Sequence, residues 1–102
     1  MPENITTWVT AEVIRAVSEI QVQSGRQERD VDVRIVPLLH LEGFDSLNCL
    51  EASVLLSERL GVEVEHNVFA SNRGQPHSCE EIAKVIVMMY GPKLAMPAGE
   101  AV

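Results

Sequence analysis

A helical spacing of apolar residues, repeated in three separate segments, constrains this chain more than any other feature. Val9, Val13, Ala16, Val17 and Ile20 recur every three or four residues, which predicts a first helix over residues 6–23, closed by Ser24 and Gly25. A second helix is expected over residues 46–60, with Leu47, Leu50, Val54, Leu56 and Leu60 facing inward and Gly61 as its stop. The third segment places Ile82, Val85, Ile86 and Met89 on one stripe. Ahead of it, Ser78 can cap the helix while Glu81 returns the bond, and Gly91-Pro92 ends it.

The connections are read from composition. Residues 26–32 are so dense in charge that they belong on the surface. Val31, Val33 and Ile35 alternate with polar residues, but no second strand is available to pair with them, so a packed loop is expected. Pro37 biases Val36 away from the helical region and introduces Leu38, Leu39 and Leu41 as apolar anchors. Residues 64–76 have room for one helical turn around Val68 and Phe69, followed by a turn at 72–76. The expected architecture is all-α: a small bundle of three main helices plus a short extra helix, with a long loop after the first. Residues 1–90 form one domain and 91–102 a disordered tail.

At 102 residues and 46% apolar, the chain can bury a single core without disulfide or metal staples. The longest apolar run, residues 85–90, is far too short to span a bilayer, and the first residues lack a secretory pattern. A cytoplasmic protein with no membrane insertion is expected. A net charge of −7 opposes nucleic-acid binding and favours basic protein partners. Between residues 42 and 65 there are six acids (Glu42, Asp45, Glu51, Glu58, Glu63 and Glu65) against one base, Arg59.

The stretch Gly43-Phe44-Asp45-Ser46-Leu47 stands where an irregular loop meets the second helix. Asp45 or Ser46 can cap that helix. A helix start also offers N–H groups and a partial positive charge that favour a phosphate on a nearby hydroxyl. With this motif, the Pro37-Leu38 loop, Leu50-Glu51, the run Leu56-Ser57-Glu58-Arg59-Leu60-Gly61-Val62-Glu63-Val64 and the capped last helix, the chain resembles the acyl carrier proteins over residues 9–90.

That resemblance implies covalent attachment of 4′-phosphopantetheine, taken from coenzyme A, to Ser46 by a separate phosphopantetheinyl transferase. Asp45 would support the transferase's magnesium, and the chain itself would be no enzyme, with no catalytic residue and no metal of its own. It implies a monomer that carries acyl thioesters in fatty-acid or polyketide biosynthesis, as a specialised rather than a housekeeping member. Acyl-loading and acyl-using enzymes would dock basic patches on the second helix, at Leu47, Glu51, Val54 and Glu58. Leu47 and Val54 serve equally well as core residues. The chain differs from the family in Glu42 before Gly43, in Asn48 and Ser57 at commonly acidic positions, and in extra length around residues 70–77.

Two other readings of the same hydroxyl remain. An acidic helical adaptor would keep the fold unmodified, and a peptidyl or aminoacyl carrier would use the same attachment. A hydrolase built on Ser46, Asp45 and His40 lacks the G-x-S-x-G elbow. Cys49, Cys79, His40, His66 and His77 show no zinc-ligand spacing, and the cysteines read as small buried hydrophobes. Met88 and Met89 could wall a cargo cavity in the last helix.

Overall fold

The computed structural model describes residues 2–25, 31–41 and 43–94. Four α-helices follow in order: α1 (Pro2–Gln23), α2 (Pro37–His40), α3 (Ser46–Leu60) and α4 (Cys79–Tyr90), with 3-10 turns at His66–Phe69 and Gly91–Lys93. No strand occurs among the described residues; Ala70 and Pro76 form one isolated bridge across a turn. The all-α bundle is as expected.

The stripe on α1 is wholly inward: Val9, Val13, Ala16, Val17 and Ile20 are all buried. α1 lies against both α3 and α4, meeting Cys49, Ala52, Leu56 and Leu60 from the one and Cys79, Ile82, Ala83 and Ile86 from the other in a single apolar cluster. Val64, Val68 and Phe69, around the 3-10 turn at His66–Phe69, complete that cluster. Each fully buried aliphatic side chain here contributes on the order of 1.5–3 kcal/mol relative to exposure.

The helix ends follow from local chemistry. Ser78 Oγ accepts from Glu81 N–H at 3.2 Å and Glu81 Oε1 accepts from Ser78 N–H at 2.8 Å, the expected reciprocal cap of α4. Gly61 closes α3 in the left-handed region, φ +72°, where a side chain is disfavoured. Ser57 Oγ donates to Ser53 C=O and accepts from Val64 N–H, both at 2.8 Å, which ties the end of α3 to the following chain.

Residues 31–36 pair with no strand, because the start of α4 supplies partners for their carbonyls. Cys79 N–H donates to Ile35 C=O at 2.8 Å and Glu80 N–H to Val33 C=O at 3.0 Å. Two donors at a helix start and two loop carbonyls are thus satisfied together. Pro37 opens α2 at a first-turn position, where its missing N–H costs nothing, and His40 Nδ1 accepts from Val36 N–H at 2.9 Å. The sequence predicts only irregular chain there.

Several expectations need correction. Leu47, Leu50 and Val54 are 64%, 49% and 52% exposed, so they do not face inward. The buried residues of α3 sit at positions 49, 52, 53, 56 and 60, and at about 100° per residue Leu47 and Val54 fall on the opposite side. Leu39 is exposed rather than an anchor, whereas Leu41 is buried and Leu38 half-buried. Met89 is half-exposed and Met88 still more so, which removes the proposed methionine wall. Finally, the folded body passes the expected boundary at residue 90: Gly91–Lys93 forms a turn and half-buried Leu94 packs on the core. The charged connection at 26–30, Glu42 and residues 95–102 lie outside the described residues.

Candidate functional site

The chain enters α3 through an alternation of buried and exposed residues. Leu41 and Phe44 are buried, Asp45, Ser46 and Leu47 are exposed, and Asn48 and Cys49 are buried again. Gly43, at φ +72°, makes the turn that lets Phe44 reach the core, where its ring lies 6.0 Å from that of Phe69. Ser46, the first residue of α3, is therefore held outward between two anchored flanks.

Asp45, not Ser46, is the cap. Its Oδ1 accepts from the N–H groups of Leu47 at 3.1 Å and Asn48 at 3.2 Å, while Asn48 Oδ1 accepts from Asp45 N–H at 3.2 Å. The Ser46 hydroxyl is thus released from structural duty. The same cap corrects the expectation of an open phosphate cradle. Two first-turn donors are already taken by a carboxylate, so the helix end offers an anion little beyond the N–H of Ser46 itself.

Asn48 carries more than the cap. Its Nδ2 donates to Glu51 Oε1 at 3.0 Å and to Ser24 Oγ at 3.3 Å, joining the start of α3 to the end of α1. A carboxylate at this position could accept but not donate. In the sequence Asn48 reads only as a missing acid. The Asp45-x-x-Asn48 spacing was the available signal for its role in the cap.

On the side of Ser46 facing the 3-10 turn at His66–Phe69, a cleft of about 260 Å³ opens, lined by Leu38, Ser46, Cys49, His66, Asn67, Phe69, Ala70 and Ser71. Its carbon-rich lining comes from Leu38, Cys49, Phe69 and Ala70, and the rest of the lining is polar. His66, Asn67 and Ser71 carried no sequence signal, because they reach Ser46 only through the fold.

The outer face of α3 brings the four other expected residues together. At about 100° per residue, Leu47, Glu51, Val54 and Glu58 lie within roughly 60° of one another, opposite the buried face, and all four are exposed. The one base of this acidic stretch is drawn away from them. Arg59 pairs with Glu19 of α1 and stands 3.7 Å from Glu12 Oε1, a buried oxygen with no hydrogen-bond partner of its own. The outward stripe is left acidic and apolar.

The other candidates are not assembled into sites. Burial raises the Cys49 thiol to about 11 and the Cys79 thiol to about 12, with the nearby charges of Asp45 and Asp32 adding to the respective shifts. Both are free and behave as small apolar residues. His77 Nδ1 is 3.0 Å from Val68 C=O, and His40 turns back onto α2. Among the described residues no group of three or more His, Cys, Asp or Glu could hold a metal ion, and no helix is long and apolar enough to cross a membrane. No family model, curated protein or solved structure matches the chain.

Proposed function

We propose that the chain is an acyl carrier protein, holding acyl groups as thioesters on a 4′-phosphopantetheine arm esterified to Ser46 and handing them between cytoplasmic enzymes. The single observation that carries this reading is the exposed Ser46 hydroxyl, relieved of capping by Asp45 and set between a cleft and an acidic helix face.

The residues present fit such an arm. The Ser46 oxygen is accessible to a modifying enzyme, and the first turn is rigidly capped, so the nucleophile is presented in one orientation. In the loading reaction the Ser46 oxygen forms a bond to the pantetheine-side phosphorus of coenzyme A. The phosphoanhydride P–O bond breaks, adenosine 3′,5′-bisphosphate leaves, and the hydroxyl proton passes to a base of the transferase. Asp45, whose second carboxylate oxygen carries no part of the cap, is placed to help hold the magnesium that a transferase brings. When bound, the arm supplies a thiol on which an acyl group is kept activated. The chain's own part is presentation, and no residue here acts as catalyst.

Leu47, Glu51, Val54 and Glu58 supply the contact face for basic partners. Charge steering raises the encounter rate, while the small apolar area keeps the complex short-lived, which suits transfer between several enzymes.

Incubation of the full chain with coenzyme A, magnesium and a broad-specificity phosphopantetheinyl transferase should add one phosphopantetheine by intact mass. Ser46→Ala should gain none. A wild-type mass that stays unchanged would remove the carrier reading and leave the unmodified adaptor, which needs only the stripe on α3.

A further inference from the structure

We propose that Glu12 and Glu19 of α1 are positioning residues for the docking face of α3: by holding the Arg59 guanidinium against α1, they set how tightly that face takes a basic partner. This inference rests on the docking face of the carrier reading and adds to it the residues that control its charge.

Arg59 is the only base between residues 42 and 65. At about 100° per residue it lies on the flank of α3, about 80° from Glu51 and about 100° from Glu58 around the helix axis. A guanidinium free to swing would therefore stand at the edge of the outward stripe. In the structure it turns the other way. Glu19 of α1 takes Arg59 Nη2 in a close ion pair, and Glu12 Oε1 stands 3.7 Å from Nη1. Both acids are held in turn: Gln23 Nε2 donates to Glu19 Oε1 at 3.4 Å, and Arg15 pairs with Glu12 Oε2 at 3.5 Å.

Stability accounts poorly for the arrangement. The Arg59 and Glu19 side chains keep 30% and 39% of their surface exposed, a setting in which an ion pair contributes little. The Glu12 side chain is only 12% exposed and its Oε1 is buried without a hydrogen bond, so the cluster carries a desolvation cost that a contact at 3.7 Å offsets poorly. What the cluster achieves is electrostatic. One positive charge is confined by two carboxylates of α1, and Leu47, Glu51, Val54 and Glu58 keep an acidic surface. Released, the same charge would repel an approaching basic partner and compete for the acids that the partner needs.

The test measures binding of the full chain to a fluorescein-labelled amphipathic peptide of Leu and Lys at helical spacing, by fluorescence anisotropy at about 0.15 M salt. Glu51→Gln and Glu58→Gln should each weaken binding, which fixes the probe on α3. Glu12→Gln/Glu19→Gln, which releases Arg59, should raise Kd about two- to fivefold, the range of one exposed charge pair, and the difference should close as salt is raised to about 1 M. Adding Arg59→Met should return Kd to the wild-type value. A structural clamp would stay broken in that triple variant, and net charge alone would give only partial recovery, since the triple variant remains one charge less negative than wild type. Glu19→Gln alone, at a partly exposed position, should shift Kd the same way by less and leaves the interior untouched. An unchanged Kd in both Glu19→Gln and the double variant, or a triple variant that recovers only in part or not at all, would overturn the inference while leaving the docking face in place. A wild type that does not bind the peptide, or binds it regardless of Glu51 and Glu58, would overturn the docking face and the inference together. Attachment at Ser46 stands or falls separately, on the mass measurement.

Discussion

Replacing Asp45 separates what this residue does for the fold from what it does for the hydroxyl next to it. In Asp45→Ala the N–H groups of Leu47 and Asn48 lose an acceptor at 3.1 and 3.2 Å, and the helix start loses a negative charge where the dipole favours one. The expected cost is about 1 kcal/mol, within a range of roughly 0.5–2. For a chain of this length that lowers the thermal midpoint by about 4–8 °C. Asp45→Asn keeps a side-chain oxygen in the same place, and Asn caps as well as Asp, so its midpoint should fall by no more than about 2 °C. Thermal and urea unfolding followed by far-ultraviolet circular dichroism would measure both, with an unchanged urea m-value showing that the native state alone is affected. The two variants should part company again in the transferase assay. If Asp45 helps to hold the transferase's magnesium, as proposed, Asp45→Asn, fully folded but without that charge, should be modified more slowly than wild type. A wild-type midpoint for Asp45→Ala, or equal damage in Asp45→Asn and Asp45→Ala, would refute the capping role of this carboxylate.

Other perturbations probe the remaining layers. Ile86→Ala, at a fully buried position, should cost about 2–5 kcal/mol, whereas Leu47→Ala and Val54→Ala should stay within about 0.5 kcal/mol and show their effect only as weaker association with basic partners, checked by urea unfolding and surface plasmon resonance. Cys49 and Cys79, raised to about 11 and about 12, should resist an aromatic disulfide reagent at about pH 8 in the folded chain and react fully in denaturant, followed by thiolate release. Glu81 is held below its ordinary 4.5, chiefly by the bond from Ser78 N–H. A carboxyl depressed in the folded state stabilises above the unfolded value and ceases to do so as pH falls through the folded one. Glu81→Gln should therefore flatten the acid limb of the midpoint against pH below about 4.5.

The helices were legible because each rule that sets them is local. The Ser78–Glu81 cap, the Gly61 stop and the α1 stripe depend on residues within four positions of one another, and all three formed as read. What the pattern could not give is which of two apolar stripes on α3 faces in. Leu47, Leu50 and Val54 make as good a helical stripe as Cys49, Ala52, Leu56 and Leu60, and they are larger. The choice falls to the second set because small residues at 49, 52 and 53 let α3 approach α1 closely, with Arg59 clamped to Glu19 beside them. Bulk favoured the wrong stripe. Close approach decides between them, and it is a property of the pair of helices.

The site divides along the same line. Ser46, Asp45, Glu51 and Glu58 were legible in sequence because they lie on one helix and its entry, with their spacing fixed by about 3.6 residues per turn, whereas Leu47 and Val54 were read as core residues as readily as outward ones. The cleft was not, since it joins Ser46 to Ser71 across an intervening helix and turn. The added length around residues 70–77 was visible as a departure from the acyl carrier proteins, but without a role. In the structure that length builds the turn in which Gly74 donates to Ser71 C=O at 2.9 Å and Gln75 both donates to Ser71 Oγ and accepts from Ser71 N–H. Ser71 of that turn lines the cleft beside Ser46.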